Sequence, residues 1–194
     1  MAELRRGGLL GTKVRLRALE RADLEQLRAW VNDPEVMRFS NTLRPISDVE
    51  QARWLEAAVS SAHAVWFGIE DARRGQPTLV GTCCLVDIDG VGRKAELRIR
   101  IGDPDAWGGG LGTEACQLLV RHAFDALNLE RVWLRVFDHN ARALRLYQKL
   151  GFVVEGTLRR HDFVDGAWRD TVLLGLLRED AVRAAPARAR GRRA

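Results

Sequence analysis

A glycine-rich turn lies between a strand pattern and a long helical pattern near the middle of this 194-residue chain. Residues 95–101 alternate strictly between apolar and polar side chains, which is typical of a half-buried strand. Four glycines fall within residues 108–112, and apolar residues then recur at helical spacing from Ala115 to Leu127. Because the N–H groups and dipole at a helix start attract negative charge, we expect this turn to bind a phosphate-bearing ligand.

Two common phosphate-binding loops do not fit this turn. The Walker loop requires Gly-Lys-Ser/Thr, but here Thr113 directly follows Gly112 and no lysine is near. The dinucleotide pattern G-x-G-x-x-G fails because position 113 is threonine, and the preceding strand belongs to a meander rather than a β-α-β unit. The sequence also lacks the hydrolase pattern G-x-S-x-G and the zinc pattern H-E-x-x-H.

The order of apolar patterns predicts one mixed α/β domain with a mostly antiparallel sheet and helices on both faces. We expect an N-terminal extension over residues 1–11, the domain over 12–178 and a basic tail over 179–194. The predicted strands are 14–19, 64–69, 78–88, 95–101, 131–137, 152–158 and 168–177. Helical periodicity covers 22–31, 47–59, 115–127 and 140–150.

The net charge of +5 comes from the end of the chain. Residues 181–194 contain five of the 31 basic residues and none of the 26 acidic ones, so the rest of the chain is electrically balanced. This Ala-, Arg-, Pro- and Gly-rich tail is predicted to be disordered. Because a nucleic-acid-binding domain carries its basic surface on the folded part, we do not expect nucleic acid as a partner.

Cysteine and hydropathy patterns indicate a cytoplasmic protein. The three cysteines, Cys83, Cys84 and Cys116, cannot form a disulfide framework, which favours a reducing compartment. No apolar run approaches the roughly 20 residues of a membrane helix, and the N-terminus has no secretory pattern. The histidines form no metal-ligand spacing, so we expect no metal.

Two segments resemble the signatures of the GNAT (GCN5-related) N-acetyltransferase superfamily. Residues 95–115, AELRIRIGDPDAWGGGLGTEA, resemble its acyl-coenzyme A loop, whose pattern is Gln/Arg-x-x-Gly-x-Gly/Ala. Residues 140–152, NARALRLYQKLGF, resemble its pattern N-x-x-A-x-x-L-Y-x-K-x-G-F. With residues 30–36 and 165–166, the resemblance covers residues 12–178 and is greatest to the branch of ribosomal-protein N-terminal and polyamine acetyltransferases. Trp107 departs from the pattern, because the family usually has Gln or Arg there.

The resemblance implies acetyl-coenzyme A (acetyl-CoA) as co-substrate. It would lie where the strand before Gly102 separates from the strand 131–137, with its pyrophosphate on the backbone amides of residues 108–113. Asn140, at the start of the second signature, would contact the pantetheine arm. The coenzyme-binding residues that the resemblance implies are Ile99, Ile101, Trp107, Gly108, Gly109, Gly110, Leu111, Gly112, Thr113, Asn140 and Arg142.

Tyr147 is the candidate proton donor, because the resemblance places a phenol at this position near the coenzyme's sulfur. A departing thiolate is a poor leaving group unless it is protonated or hydrogen-bonded, and a phenol with a pKa of about 10 stays protonated at neutral pH. Alternatively, Tyr147 is a half-buried aromatic residue that packs with Leu144 and Phe152.

The candidate base is Glu96, on the strand before the glycine turn, where several family members place a catalytic glutamate. An amine with a pKa of about 10 must lose a proton before it attacks, so a carboxylate or a water relay assists. Glu96 could instead pair with Arg98 or Arg100 or face solvent. The alternative bases are Asp138, His139 and water.

These features predict an N-acetyltransferase that moves an acetyl group from acetyl-CoA to a primary amine by direct transfer in a ternary complex. The acceptor is left open among protein N-termini, polyamines, aminosugars and small amines. It would enter over residues 21–62, with the loop 33–46 shaping specificity. The alternative is a non-catalytic acyl-CoA-binding module on the same fold. The resembling branch also suggests a homodimer.

Overall fold

The computed structural model describes residues 8–40, 44–73, 75–164 and 166–184. The strands are β1 (Leu9–Leu10), β2 (Val14–Arg17), β3 (Val65–Asp71), β4 (Thr78–Asp89), β5 (Lys94–Ile101), β6 (Arg131–Phe137), β7 (Val153–Val164) and β8 (Ala167–Leu177). The helices are α1 (Leu24–Asn32), α2 (Pro34–Met37), α3 (Asp48–Ser60), α4 (Leu111–Arg121), α5 (Ala141–Lys149) and α6 (Arg178–Ala184). A π-helical turn, His122–Ala126, continues α4.

In the described part of the chain, all eight strands form one sheet in the order β1-β2-β3-β4-β5-β6-β8-β7. Neighbouring strands are antiparallel except β5 and β6, which pair in parallel only from Lys94–Arg131 to Glu96–Trp133. Beyond this point β5 stays paired with β4 as far as Ile101, and β6 stays paired with β8 as far as Phe137. The two central strands therefore separate, as the sequence predicts, and leave a gap in the middle of the sheet.

Helices cover both faces of the sheet. Val65 and Phe67 of β3 pack in the larger hydrophobic cluster, with α4 and α5. Trp66, between them, packs in a second cluster with α1, α2 and α3. Because successive strand side chains point to opposite faces, the two helical layers lie on opposite sides. The mixed α/β fold with a mostly antiparallel sheet is therefore confirmed.

The structure differs from the sequence prediction at both ends of the domain. Leu9–Leu10 pairs with β2, so the sheet begins inside the predicted N-terminal extension. The chain is helical over Arg178–Ala184, within the predicted disordered tail, while residues 185–194 lie outside the described residues. Arg178 anchors this helix by donating to the carbonyls of Phe124 and Leu129, a contact between distant residues that no local pattern indicates.

Strand β7 is longer than predicted, reaching Val164 instead of residue 158. Most of its side chains are exposed, so the strand lacks the apolar alternation from which its length could have been recognised. The register shifts between Leu158 and Asp162, and Arg160 has a positive φ of 48° there. None of the described helices is long and apolar enough to span a membrane.

Glu114 connects the start of α4 to the start of β2 through hydrogen bonds. Its carboxylate accepts hydrogen bonds from the backbone N–H groups of Thr12 (2.9 Å), Lys13 (2.6 Å) and Val14 (3.0 Å). The Thr12 hydroxyl also donates to it. Burial by itself would raise the pKa of Glu114, but these hydrogen bonds outweigh burial and lower the pKa. The ionised carboxylate therefore stabilises the folded state.

We expect Glu114→Gln to lower the free energy of unfolding by about 2 kcal/mol at neutral pH, because hydrogen bonds to a charged group are lost. A lowered pKa gives stability that is present above the unfolded-state pKa and is lost as the pH falls through the folded-state pKa. The difference from the native protein should therefore shrink in acid, as measured by urea unfolding across a pH series. Glu25→Gln, on the exposed face of α1, is the control. A loss that is equal in both variants would contradict this role.

Candidate active site

A cavity of about 970 Å³ opens where β5 and β6 separate. Residues from both helical layers line it, so it passes from the α4–α5 side of the sheet to the α1–α3 side. The predicted coenzyme-binding residues that line it are Ile99, Ile101, Trp107, Gly108, Gly110, Leu111, Gly112, Thr113, Asn140 and Arg142. Gly109 is not among the lining residues.

The glycine turn has the backbone conformation that its sequence suggests. Gly108 and Gly110 have φ angles of +83° and +80°, a region that side chains with a Cβ rarely adopt. Gly110 is the N-cap of α4, and the first α-helical hydrogen bond runs from the N–H of Glu114 to its carbonyl (3.1 Å). The N–H groups of residues 111–113 therefore precede the helical ladder and are available to an anion at the cavity wall.

Two cations beside the turn could not be identified from the sequence. The Lys13 ammonium donates to the carbonyl of Gly109 at 3.3 Å. The Arg73 guanidinium lies 2.8 Å from where a Cβ on Gly109 would be, so Gly109 faces Arg73 rather than the cavity. Lys13 lies just before β2 and Arg73 just after β3, and both reach the turn only through tertiary packing. The Arg73 guanidinium is paired with the Asp71 carboxylate at 2.8 Å, so the net positive charge beside the turn comes from Lys13.

Trp107, which departs from the family pattern, directly precedes the glycine turn and makes its contacts within the chain. Its indole N–H donates to the carbonyl of Ile101 at 2.9 Å, so it is already used within the chain. The Arg142 guanidinium lies over its ring, 5.8 Å from the ring centroid. Trp107 therefore connects the end of β5 to α5 through Arg142. Because the indole is uncharged, the positive charge beside the turn comes from a neighbouring cation and not from residue 107.

Asn140 and Tyr147 stand on α5 at the cavity wall. The Asn140 side-chain oxygen accepts from the N–H of Ala143 (3.1 Å), so Asn140 is the N-cap of the helix. Tyr147 is only 7% exposed, and its ring packs edge-on against Phe152. Burial raises the pKa of Tyr147 above its usual value, so the phenol stays protonated across the physiological range. The residue is therefore both packed and able to donate a proton.

Glu96 lies in the last parallel pair before β5 and β6 separate, and it is 2% exposed. Its carboxylate accepts from Arg98 at 2.5 Å and from the Arg135 Nε at 3.1 Å. Pairing with Arg98 was one of the alternatives from the sequence, whereas Arg135 comes from the adjacent strand β6. Two guanidinium groups therefore occupy the carboxylate oxygens of Glu96.

The alternative bases Asp138 and His139 do not line the cavity. The His139 ring stacks on Phe137 with 11° between the ring planes, and its Nδ1 lies 3.3 Å from the Asp138 carboxylate. A different histidine, His161 of β7, does line the cavity, although the sequence contains no local signal for this. Among the described residues, no cluster of His, Cys, Asp and Glu could hold a metal ion.

Aromatic side chains form the wall on the α1–α3 side. Trp30, Trp54 and Trp66 line the cavity, and all three also pack in the second hydrophobic cluster. The Trp54 and Trp66 rings meet edge to face with centroids 4.9 Å apart. A Cβ on Gly102 would lie 2.1 Å from the Trp30 ring, so only glycine allows this close packing. These rings therefore pack in the hydrophobic core and also form part of the cavity wall.

Comparisons with known proteins agree with this geometry. The family model described as "Acetyltransferase (GNAT) domain" matches residues 13–153. The spermidine N(1)-acetyltransferase of Escherichia coli (strain K12) is 34% identical over 160 residues, covering 82% of this chain and 83% of the relative. The uncharacterized N-acetyltransferase p20 of Bacillus licheniformis is 30% identical, covering 87% and 94%. The crystal structure of the Vibrio cholerae spermidine N-acetyltransferase with CoA and spermine aligns with a TM-score of 0.81 and 29% identity, covering 89% of this chain and 99% of that chain.

We expect Gly110→Val to raise the Kd for coenzyme A at least ~10-fold, about 1.4 kcal/mol, in calorimetry. A side chain here must adopt a φ of +80°, and its Cβ would lie 3.1 Å from the Lys13 ammonium. Gly166→Val is the matched control, because Gly166 has a φ of +73°, nothing within 4 Å and no place in the cavity lining. Unchanged affinity in Gly110→Val, or an equal loss in both variants, would remove the turn from the coenzyme site.

Proposed function

The chain belongs to the GNAT family of acetyl-CoA-dependent N-acetyltransferases, and on that premise we propose that it acetylates a small-molecule primary amine by direct transfer in a ternary complex. The observation that carries this proposal is the single cavity that joins the glycine turn, Tyr147 and Glu96. A coenzyme and an amine held in one cavity can react without a covalent enzyme intermediate. The spermidine acetyltransferases of Escherichia coli and Vibrio cholerae support a small amine as the acceptor.

The coenzyme would enter from the α4–α5 side. The N–H groups of residues 111–113 would bind its pyrophosphate, assisted by the Lys13 ammonium beside the turn. The pantetheine arm would occupy the gap between β5 and β6, next to Ile99 and Ile101. The diverging strands have unpaired backbone groups along this gap, and an amide-bearing arm can satisfy them. This arrangement directs the thioester toward the middle of the sheet.

Proton transfer is assigned to two cavity residues. Tyr147 would donate its phenolic proton to the departing thiolate, and its raised pKa keeps that proton available. Glu96 would accept the proton that the amine must lose before attack, through water, because its own oxygens are held by Arg98 and Arg135. The coenzyme supplies the acyl group, so the protein provides positioning and proton transfer.

The remaining expectations from the sequence stay predictions. Cys83, Cys84 and Cys116 are free and buried, which supports a reducing, cytoplasmic setting. The homodimer implied by the resembling branch can be checked by light scattering. The activity itself is tested by thiol release from acetyl-CoA across panels of small amines and peptides. No thiol release with any amine would overturn the proposed function.

Tyr147→Phe keeps the ring and removes the proton donor. We expect kcat to fall by ~10²-fold or more, because the phenol acts on the thiolate that develops in the transition state. The Kd for coenzyme A, measured by calorimetry, should barely change. A variant with unchanged kcat, under conditions in which chemistry limits the rate, would assign Tyr147 to packing against Phe152 and leave thiolate protonation to water.

Glu96→Gln removes the proposed proton acceptor and keeps the side chain's size. Turnover should fall by ~10²–10⁴-fold at pH values below the acceptor's pKa and recover partly at higher pH, where the amine is already neutral. Glu50→Gln is the control, because Glu50 also lines the cavity but lies on α3. If the pH–rate profile of Glu96→Gln matches the native profile, Glu96 serves only to neutralise Arg98 and Arg135.

A further inference from the structure

Arg100 lies on β5, at the part of the cavity where we expect the acceptor to bind. It shares a strand face with Glu96 and Arg98, and its register partner on β4 is Thr82. All four residues line the cavity. This is the sheet face on which Trp66 meets the layer of α1, α2 and α3, and it is opposite to the face that packs against α4. Arg100 therefore faces the side from which the acceptor is expected to enter.

Unlike its neighbours, Arg100 has no carboxylate partner among the described residues. Arg98 and Arg135 share the carboxylate of Glu96. The only hydrogen bond of Arg100 in the described part of the chain is a long one, 3.4 Å, to the Ser40 hydroxyl. Burial lowers the pKa of Arg100, whereas the hydrogen bond that Arg98 donates to Glu96 raises the pKa of Arg98. Arg100 is partly buried and lines the cavity, so its guanidinium faces the cavity without an anion beside it among the described residues.

The other acidic side chains that line the cavity do not pair with Arg100. Glu50 pairs with Arg44 at 2.6 Å. The Asp162 carboxylate accepts a hydrogen bond from the Thr171 hydroxyl. Glu35 lies at the exposed start of α2. An anion that pairs with the Arg100 guanidinium must therefore come from outside the described residues.

We propose that the acceptor carries a carboxylate as well as its primary amine, and that Arg100 binds this carboxylate and so selects an amino-acid-like acceptor over a polyamine. A guanidinium matches a carboxylate through two parallel N–H donors, and the Ser40 hydroxyl is in place to add a third contact. This inference rests on the proposed function, since it names the acceptor of the same cavity.

The position of Arg100 also limits the shape of the acceptor. The Cα atoms of Glu96 and Arg100 are about 13 Å apart along an extended strand, and the two side chains together are long enough to bridge part of that distance. An acceptor whose amine and carboxylate are at opposite ends of a short chain can reach both. A polycation such as spermidine would instead meet Arg98, Arg100 and Arg135, of which Arg98 and Arg135 share the Glu96 carboxylate and Arg100 has no carboxylate partner within the described ranges.

The test compares acids with their uncharged amides. Acetylation of γ-aminobutyrate, ε-aminocaproate, their two amides and spermidine is measured for the native protein, Arg100→Gln and the control Arg28→Gln on the exposed side of α1. For the native protein, we expect kcat/KM to be at least ~10-fold higher for the better of the two acids than for its amide. We also expect kcat/KM to be lower for spermidine than for that acid. Arg100→Gln should lose this preference, and Arg28→Gln should keep it.

A binding measurement keeps the inference testable if Arg100→Gln turns over poorly. N-acetyl-ε-aminocaproate, a product with no reactive amine, should raise the Tm of the native protein but not that of Arg100→Met. The Kd for coenzyme A should stay within about twofold in both Arg100 variants. A loss of coenzyme affinity of about tenfold would instead place Arg100 in the coenzyme site and overturn the inference.

The results also separate this inference from the proposed function. If the native protein acetylates none of a wider panel of amines, the proposed function fails. If it acetylates amides as well as acids, or prefers spermidine, the proposed function stands and the carboxylate inference is wrong.

Discussion

The short parallel pairing of β5 with β6 is the constraint on which the rest of the site depends. It ends at Glu96–Trp133, because each strand then follows its antiparallel partner on the other side, β4 for β5 and β8 for β6. The separation leaves backbone groups without a strand partner and opens a path through the sheet. The cavity, the positions of Glu96 and Tyr147, and access from both helical layers all follow from this gap.

Charge is distributed unequally along the cavity. On the α4–α5 side, the glycine turn and Lys13 provide positive charge suited to a pyrophosphate, while Arg73 is paired with Asp71. In the centre, Arg98 and Arg135 share the single carboxylate of Glu96, so one positive charge is left over. On the α1–α3 side, the hydrogen bond that Arg100 makes within the described part of the chain is to Ser40. By our proposals, the protein therefore provides an anion-binding surface for the coenzyme and one further anion contact for the acceptor.

Much of the fold and part of the site could be predicted because they depend on local patterns. Strict alternation over residues 95–101 indicated β5, and the glycines of residues 108–112 indicated the turn into α4. The resemblance placed Asn140 at the start of the second signature, and it is the N-cap of α5 at the cavity wall. Strand β7 was predicted too short, because an exposed outer strand has no apolar alternation to mark its end. Asp138 and His139, adjacent to the motif in sequence, lie outside the cavity.

The sequence by itself determined the element types and the glycine turn, since each depends on hydrogen bonding and periodicity within a short segment. The family followed from the resemblance of residues 95–115 and 140–152 to its signatures. Only the tertiary structure decided which distant side chains meet. Arg135 reaches Glu96 because β6 lies beside β5, and Arg100 is left without a carboxylate because no acidic side chain of the described residues lies opposite it. The order of strands in the sheet sets these neighbours, and that order is a property of the whole packed domain, which no single segment encodes.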